Sequence, residues 1–208
     1  PLSDKISERA EKALKDPNYN FKTLEKKNID KYIKDFTKIY NEAWSKYPGV
    51  SKLELSQARL LFSQLKPILD EKILWFAYYN NDPIGFFISI PEMNQIFKHV
   101  NGKLDLIGKI KTFYHLKIKK SCKKMIGLVF GIVPKHQGKG VDGALIMASR
   151  ETIQEKLGYE DLELNWIPDF NKSMIKVAEQ VQVKLGKVHH TYRFNFDRSI
   201  PVERITKK

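Results

Sequence analysis

The sequence predicts a mixed α/β domain, a central sheet flanked by helices, on three observations. Residues 126–133 form an apolar, β-branched run that stops at Pro134, crosses a short basic glycine loop and enters a helical pattern from Ala144 to Leu157. Residues 73–79 and 83–90 are two strand-like runs separated by Asn80-Asn81-Asp82, which reads as a β-hairpin. Around these, strand-like and helix-like segments alternate along one chain of 208 residues, long enough for one domain with a sizeable core.

Each element follows from its own pattern. Residues 1–20 are polar, with a short helix over 5–14 broken by Pro17, and are expected to act as an N-terminal helical connector. Residues 21–24 suggest a first strand. Residues 30–44 place Tyr32, Ile33, Phe36, Ile39, Tyr40 and Ala43 at helical spacing, an amphipathic helix. A turn at Pro48-Gly49 leads to a second helix over 53–65, and then comes the hairpin. Residues 92–124 break the regular alternation. Leu104, Leu106, Ile107, Ile110, Phe113, Tyr114, Leu116 and Ile118 are interleaved with many lysines, in a long insertion before the loop strand. An insertion of that length is expected to be a lid over the acceptor site, an amphipathic patch touching a partner or a membrane surface, or an extra helix pair with a solvated lysine face. Past the loop, the helix closes at Gly158, residues 159–167 read as a strand ended by Pro168, and Asn171 opens a helix to about residue 184. After Gly186, residues 187–196 are rich in Val, Thr, Tyr and Phe and predict a closing strand; 199–208 form a C-terminal tail.

Composition narrows the function classes. With 42% hydrophobic residues the chain is not disordered, and no apolar run approaches the ~18–20 residues of a membrane span. Cys122 is the sole cysteine and metal-ligand clusters are absent, so no internal disulfide and no metal are expected. These features read as a cytoplasmic protein. The net charge of +13 raises nucleic acid as a partner, but only six of the basic residues are arginine. Scattered lysine is the usual solvated surface, so the composition argues against nucleic acid, as the lack of a span argues against membrane.

The loop carries the most chemistry. A strand, a glycine turn and a helix N-terminus converge backbone N–H groups on an anion, and Lys135, His136 and Lys139 add charge or donors beside it. Gly138-Lys139-Gly140 lacks the hydroxyl that must follow the lysine of a Walker loop. A dinucleotide pattern is literally present as Gly138, Gly140 and Gly143, with Glu163 about 20 residues on. Four residues nevertheless separate the strand from the first glycine, and too little chain follows for the remaining units of that fold.

The run from Val133 through Pro134, Gln137, Gly138, Lys139, Gly140 and Val141 resembles the acyl-CoA loop of the GNAT N-acetyltransferase superfamily, whose pattern is a strand, a proline step, [QR]-x-x-G-x-[GA] and a helix. The order of the remaining elements and Asn171 at the head of a later helix are also similar to that family. The resemblance covers residues 21–198 and implies a mostly antiparallel sheet and an acyl-CoA co-substrate, most simply acetyl-CoA. It assigns the co-substrate to Ile132, Val133, Lys135, His136, Gln137, Gly138, Lys139, Gly140, Val141 and Asn171. The backbone of 137–140 would hold the pyrophosphate, and the strand through Ile132 and Val133 would pair with the pantetheine arm. The implied reaction is N-acyl transfer to an amine of a small molecule or protein. The C-terminal pattern is similar to bacterial proteins in which such a module follows another GNAT-like half, so a preceding domain or a dimer mate is an expected partner.

The catalytic groups of that family are thinner here. Residues 126–133 contain no acid, Lys135 stands where Gln or Arg is usual, and Asp142 where glycine is common. Counting seven residues from Asn171 reaches Ala178, where the family often has a tyrosine that protonates the thiolate. The substitutes are Tyr192, taken as the catalytic acid, with His189, His190 and Glu163 behind it. A bulge in the loop strand is expected to free N–H groups near Ile132 and Val133 for an oxyanion. The alternative is a catalytically silent module that binds coenzyme A or supports a partner domain.

Overall fold

A computed structural model of the chain describes residues 4–44 and 50–201. The Pro48-Gly49 turn and most of the 199–208 tail lie outside the described residues. Among those residues the order is α1 (Asp4–Lys15), β1 (Tyr19–Thr23), α2 (Ile29–Trp44), α3 (Leu55–Leu65), β2 (Leu74–Tyr79), β3 (Asp82–Pro91), α4 (Asn94–Phe97), α5 (Leu106–Phe113), β4 (Lys124–Ile132), α6 (Val141–Arg150), β5 (Asp161–Leu164) and α7 (Lys172–Gln180). The strands form one sheet in sequential order, antiparallel from β1 to β4, with β5 parallel to β4.

The hairpin is tighter than its sequence suggests. Asn80 and Asn81 alone make the turn, at φ 47° and 65°, and Asp82 already pairs with Tyr79. Positive φ at both central positions matches the turn's twist to that of the strands, and asparagine tolerates it. β2 and β3 are buried almost throughout because helices cover the sheet: Phe76 and Phe86 are fully enclosed, and Tyr32 and Phe36 of α2 pack on their rings at 5.1 and 4.9 Å. α3 starts with a capping box, the Glu54 side chain and backbone exchanging hydrogen bonds with Gln57. From the opposite side of α6, Ala144 buries against Ala10 and Ala13 of α1.

Three expectations are corrected. Within the expected connector over residues 1–20, α1 packs on α6, and the first strand begins at Tyr19, paired with Tyr79, two residues before the expected start at Phe21. The small residues of α1, Ala10 and Ala13, let the helix axes approach closely enough to exclude water. The strand after α6 is only four residues long, because its ladder with β4 ends at Gly127. Residues 187–196 do not form a closing strand; they run unpaired, with Phe194 and Phe196 exposed. Strand-forming residues supply propensity, but a strand needs a neighbour's N–H and C=O groups, and no strand among the described residues pairs with this segment.

Candidate functional site

β5 pairs along its whole length with the N-terminal part of β4 only, from Lys124↔Asp161 to Gly127↔Leu164, with the Asn165 N–H donating to the Gly127 carbonyl at 2.9 Å. Beyond that point β4 continues to Ile132 with its β5-side edge uncovered by any strand. The register with β3 shifts between Ile88 and Ser89, leaving Leu128 as the extra residue of a bulge. The expected bulge is therefore present, but four residues earlier than Ile132.

Which backbone groups face the open edge follows from the ladder. The Val133 N–H donates to the Ile84 carbonyl at 2.9 Å, so Val133 is committed to β3 and its side chain to the core. Ile132 and Phe130 lie opposite Gly85 and Phe87 in the alternate, non-bonded pairs, which turns their N–H and C=O groups outward. Of the two strand residues expected to meet a thioester, only Ile132 turns its N–H outward, and Phe130, which the sequence reading did not single out, turns its own the same way. The Ile132 carbonyl is occupied by the Gln137 side-chain amide, which donates to it at 2.8 Å. Gln137 thereby staples the loop to the strand end.

At the loop the glycines divide their work. Gly138 has φ 71° and open space where a Cβ would stand, so a ligand can approach its backbone. Gly140 has φ 84°, and a Cβ there would lie 2.4 Å from the Arg9 carbonyl oxygen of α1. Gly140 is thus needed for helix packing as well as for the turn. The N–H groups of Gly138, Lys139 and Gly140 make no hydrogen bond within the described residues, and α6 adds the free amides of its first turn. Val141 is buried beneath them, and Asp142 sits in the first turn, where a carboxylate complements the helix dipole. The Lys135 and Lys139 side chains stand exposed at the rim.

His136 departs from expectation. It is 5% exposed, its Nδ1 lies 3.2 Å from the Tyr19 hydroxyl, and its ring packs against Tyr79 at 5.0 Å. Burial first, and then the nearby Lys139 and Lys135 charges, hold its pKa below the ordinary histidine value. It ties the loop to β1 and β2 as a neutral ring and adds no charge. The sequence signal was ambiguous, since a histidine between two lysines reads equally as a ligand donor.

Two cavities flank Phe130. The larger, about 260 Å³, lies between β5, α6 and α7, with Phe130, Ile146, Ile153, Met174, Ala178 and Val181 among its lining residues. The smaller, about 50 Å³, is lined by Trp44, the bulge at Leu128, Asn165, Trp166 and Asn171. Phe87, Phe130, Leu164 and Met174 border both, so the open β4 edge is the wall they share. The α2 terminus and the Asn165-Trp166 break after β5 were invisible as site residues, because only folding brings them to β4. Asn171 caps α7, its side chain accepting from the Met174 N–H at 3.1 Å, which accounts for asparagine there.

The candidate acids and bases do not converge. Tyr192 is 90% exposed on the unpaired C-terminal segment, its ring 6.4 Å from that of His190. His189 is exposed as well. Glu163 is hydrogen-bonded by Lys124 and by Lys187, and these cations pull its carboxyl down to about 2, which makes it an anchor and a poor base.

No family model matches the chain. It is 30% identical over 175 residues to the bacterial ceramide synthase of Caulobacter vibrioides, an alignment covering 82% of this chain and 44% of that protein. The chain spans less than half the length of the relatives it matches. Among solved structures it superposes on an aminoglycoside acetyltransferase from an uncultured soil metagenomic sample with TM-score 0.56, at 12% identity, over 86% of this chain and 99% of that one. A second, an aminoglycoside N-acetyltransferase solved in complex with CoA, gives TM-score 0.52 at 15% identity, over 85% of this chain and 94% of that one. Sequential strands, a β4–β5 pair that parts, and a glycine loop leading into α6 make this chain a GNAT-like domain in fold.

Proposed function

We propose that the domain is an acyl-CoA-dependent N-acyltransferase. The observation that carries this reading is the continuity of the open β4 edge with the Gly138 loop. One extended ligand could pair with Phe130 and Ile132 and place a phosphate on the amides of 138–140 and the α6 N-terminus. Coenzyme A is such a ligand, an anionic pyrophosphate on an amide-containing arm. The neighbours named as acetyltransferases, one of them holding CoA, support the donor, and the relative named for ceramide, itself an N-acylated amine, supports the reaction class.

In the reaction, the acceptor's amine nitrogen attacks the thioester carbonyl carbon, the C–S bond breaks, and the sulfur leaves as the thiol once it has taken up a proton. The outward N–H groups of Phe130 and Ile132 would stabilise the oxyanion, and the chain would hold the reactants in line. Water would carry the amine's proton away, since the smaller cavity has no titratable side chain in its lining. The apolar lining of the larger cavity suits an acyl chain longer than acetyl.

The lack of a titratable group around the smaller cavity favours a second reading, a module that binds coenzyme A without turning it over. Residues 21–198, with α1 and Tyr19 packed on them, would be the co-substrate-binding unit in either case. The test is isothermal titration of the chain with acetyl-CoA, a long-chain acyl-CoA, free coenzyme A and NADH. Saturable binding of the thioesters with none of NADH, followed by amide formation when amines are added, is the expected result. Binding without turnover would select the silent module, and no thioester binding would overturn both.

A further inference from the structure

The insertion between β3 and β4 carries a surface that the donor site does not use. α5 runs from Leu106 to Phe113 and continues through one wide helical turn, Tyr114–Ile118. Leu106, Ile107, Ile110, Phe113 and Tyr114 recur at i, i+1, i+4, i+7 and i+8, which places them along one stripe. These five, together with Ile118, are 48–75% exposed. Gly108, Thr112, His115 and Leu116 fall on the opposite side and are the less exposed residues of the segment. An apolar stripe of that length is normally turned inward, and here it is turned out.

The charge around the stripe says what should cover it. Residues 106–124 contain seven lysines and no aspartate or glutamate. Asp105, just before them, is used up as the α5 cap, accepting from the Gly108 N–H at 2.7 Å. Lys117, Lys123 and Lys124 have carboxylate partners in Asp70, Glu160 and Glu163. Lys109, Lys111, Lys119 and Lys120 form no ion pair within the described residues. An apolar stripe bordered by lysines is the composition of a helix lying in a lipid interface. A second copy of this chain in a two-fold contact would set the same lysines against each other, which charge repulsion opposes.

The segment is also held rigidly enough to present that face. The Gln95 side chain accepts from the N–H groups of Lys123 and Lys124 at 2.8 and 3.1 Å. His99 stacks on His115 at 4.0 Å, and Ile96, Val100 and Cys122 are buried beneath. No helix among the described residues is long and apolar enough to cross a membrane, and interfacial docking needs none.

We infer that α5 and the turn after it dock the protein on an anionic lipid bilayer, apolar side chains entering the headgroup boundary and the lysines pairing with lipid phosphates. The sequence disfavoured a membrane for want of a spanning run but left a membrane surface among the readings of this insertion, and the exposed stripe selects that reading. The inference stands apart from the acyl-transfer reading, because vesicle binding is measured with no acyl donor present.

The test is co-sedimentation of the 208-residue chain with phosphatidylcholine vesicles and with vesicles containing phosphatidylglycerol. The chain should pellet with the anionic vesicles, not with neutral ones, and salt should weaken the binding. Ile110→Asp with Phe113→Asp should abolish pelleting without changing the melting temperature, since both side chains are solvent-exposed. Lys109→Gln with Lys111→Gln should weaken it on the order of thirtyfold. Failure of the wild type to bind anionic vesicles at low salt would overturn the inference. So would unchanged binding by the Asp pair, or light scattering that shows a dimer which the Asp pair makes monomeric.

Discussion

The sheet from β1 to β4 and the segment from β5 onward are built to different standards. In the first, Phe76 and Phe86 are enclosed on all sides, as are Tyr32 of α2 and Leu145 of α6, and neighbouring strands pair over five residues or more. In the second, β5 pairs over four residues, α7 buries no residue fully, and Phe194 and Phe196 face solvent. The glycine loop, proposed to hold the donor, and the outward β4 amides belong to the packed half. The wall that would close over an acceptor belongs to the open half. A ligand that must be gripped the same way each time is thus met by preorganised backbone, and the less packed region, which can open at lower cost, borders the cavities.

The comparison is broken most sharply by a pair of aromatic truncations. Phe86→Ala should cost about 3–5 kcal/mol, the range for a large aromatic removed from a core, whereas Phe196→Ala should stay within about 0.5 kcal/mol. Urea unfolding of both variants measures the contrast; similar losses would mean the C-terminal segment is packed in solution.

The glycine loop gives a smaller and more informative difference. Gly140→Ala meets the α1 backbone 2.4 Å away at positive φ and should destabilise the fold by about 1–3 kcal/mol. Gly138→Asp has open space, carries only the left-handed backbone cost of about 1–2 kcal/mol, and should abolish acyl-CoA binding by setting a carboxylate on the phosphate site. Thermal melts with titration separate the two, and a Gly138→Asp protein that still binds would remove the loop from the site. Gly140→Glu is the poorer probe, since α1 contact and ligand contact would fail together.

The smallest effect is a pH dependence at the joint between loop and sheet. His136 has a folded-state pKa below its unfolded value, so the unfolded chain takes up the proton first as pH falls. Its stabilising contribution is complete above about pH 6.5 and declines below that until the folded histidine titrates too. A melting temperature that falls between pH 7 and pH 5, with a shallower fall in His136→Gln, is the expected outcome. An identical slope in the variant would mean other groups, His115 among them, set it.

Much of the framework was legible because it is local. The Asn80-Asn81 turn, the period of α2 and the proline–glycine punctuation after β4 are fixed by neighbours within a few residues, and the structure keeps each of them. The errors share the opposite character. Residues 187–196 have strand composition and no partner. His136 lies in a phosphate-like context and turns inward to Tyr19 from 117 residues away in sequence. Phe130 was passed over because its role depends on which side of the ladder Val133 uses.

The sequence alone therefore determined a mixed α/β domain, the position of the glycine loop between β4 and α6 and the reach of the lysine-rich insertion, all of which rest on periodicity, turn chemistry and the charge of adjacent residues. Tertiary structure decided which amides of β4 point outward, which glycine faces open space and which packs on α1, and which apolar stripe stays uncovered. Those choices depend on contacts between segments far apart in the chain, where the free energy of packing and ladder pairing outweighs local preference.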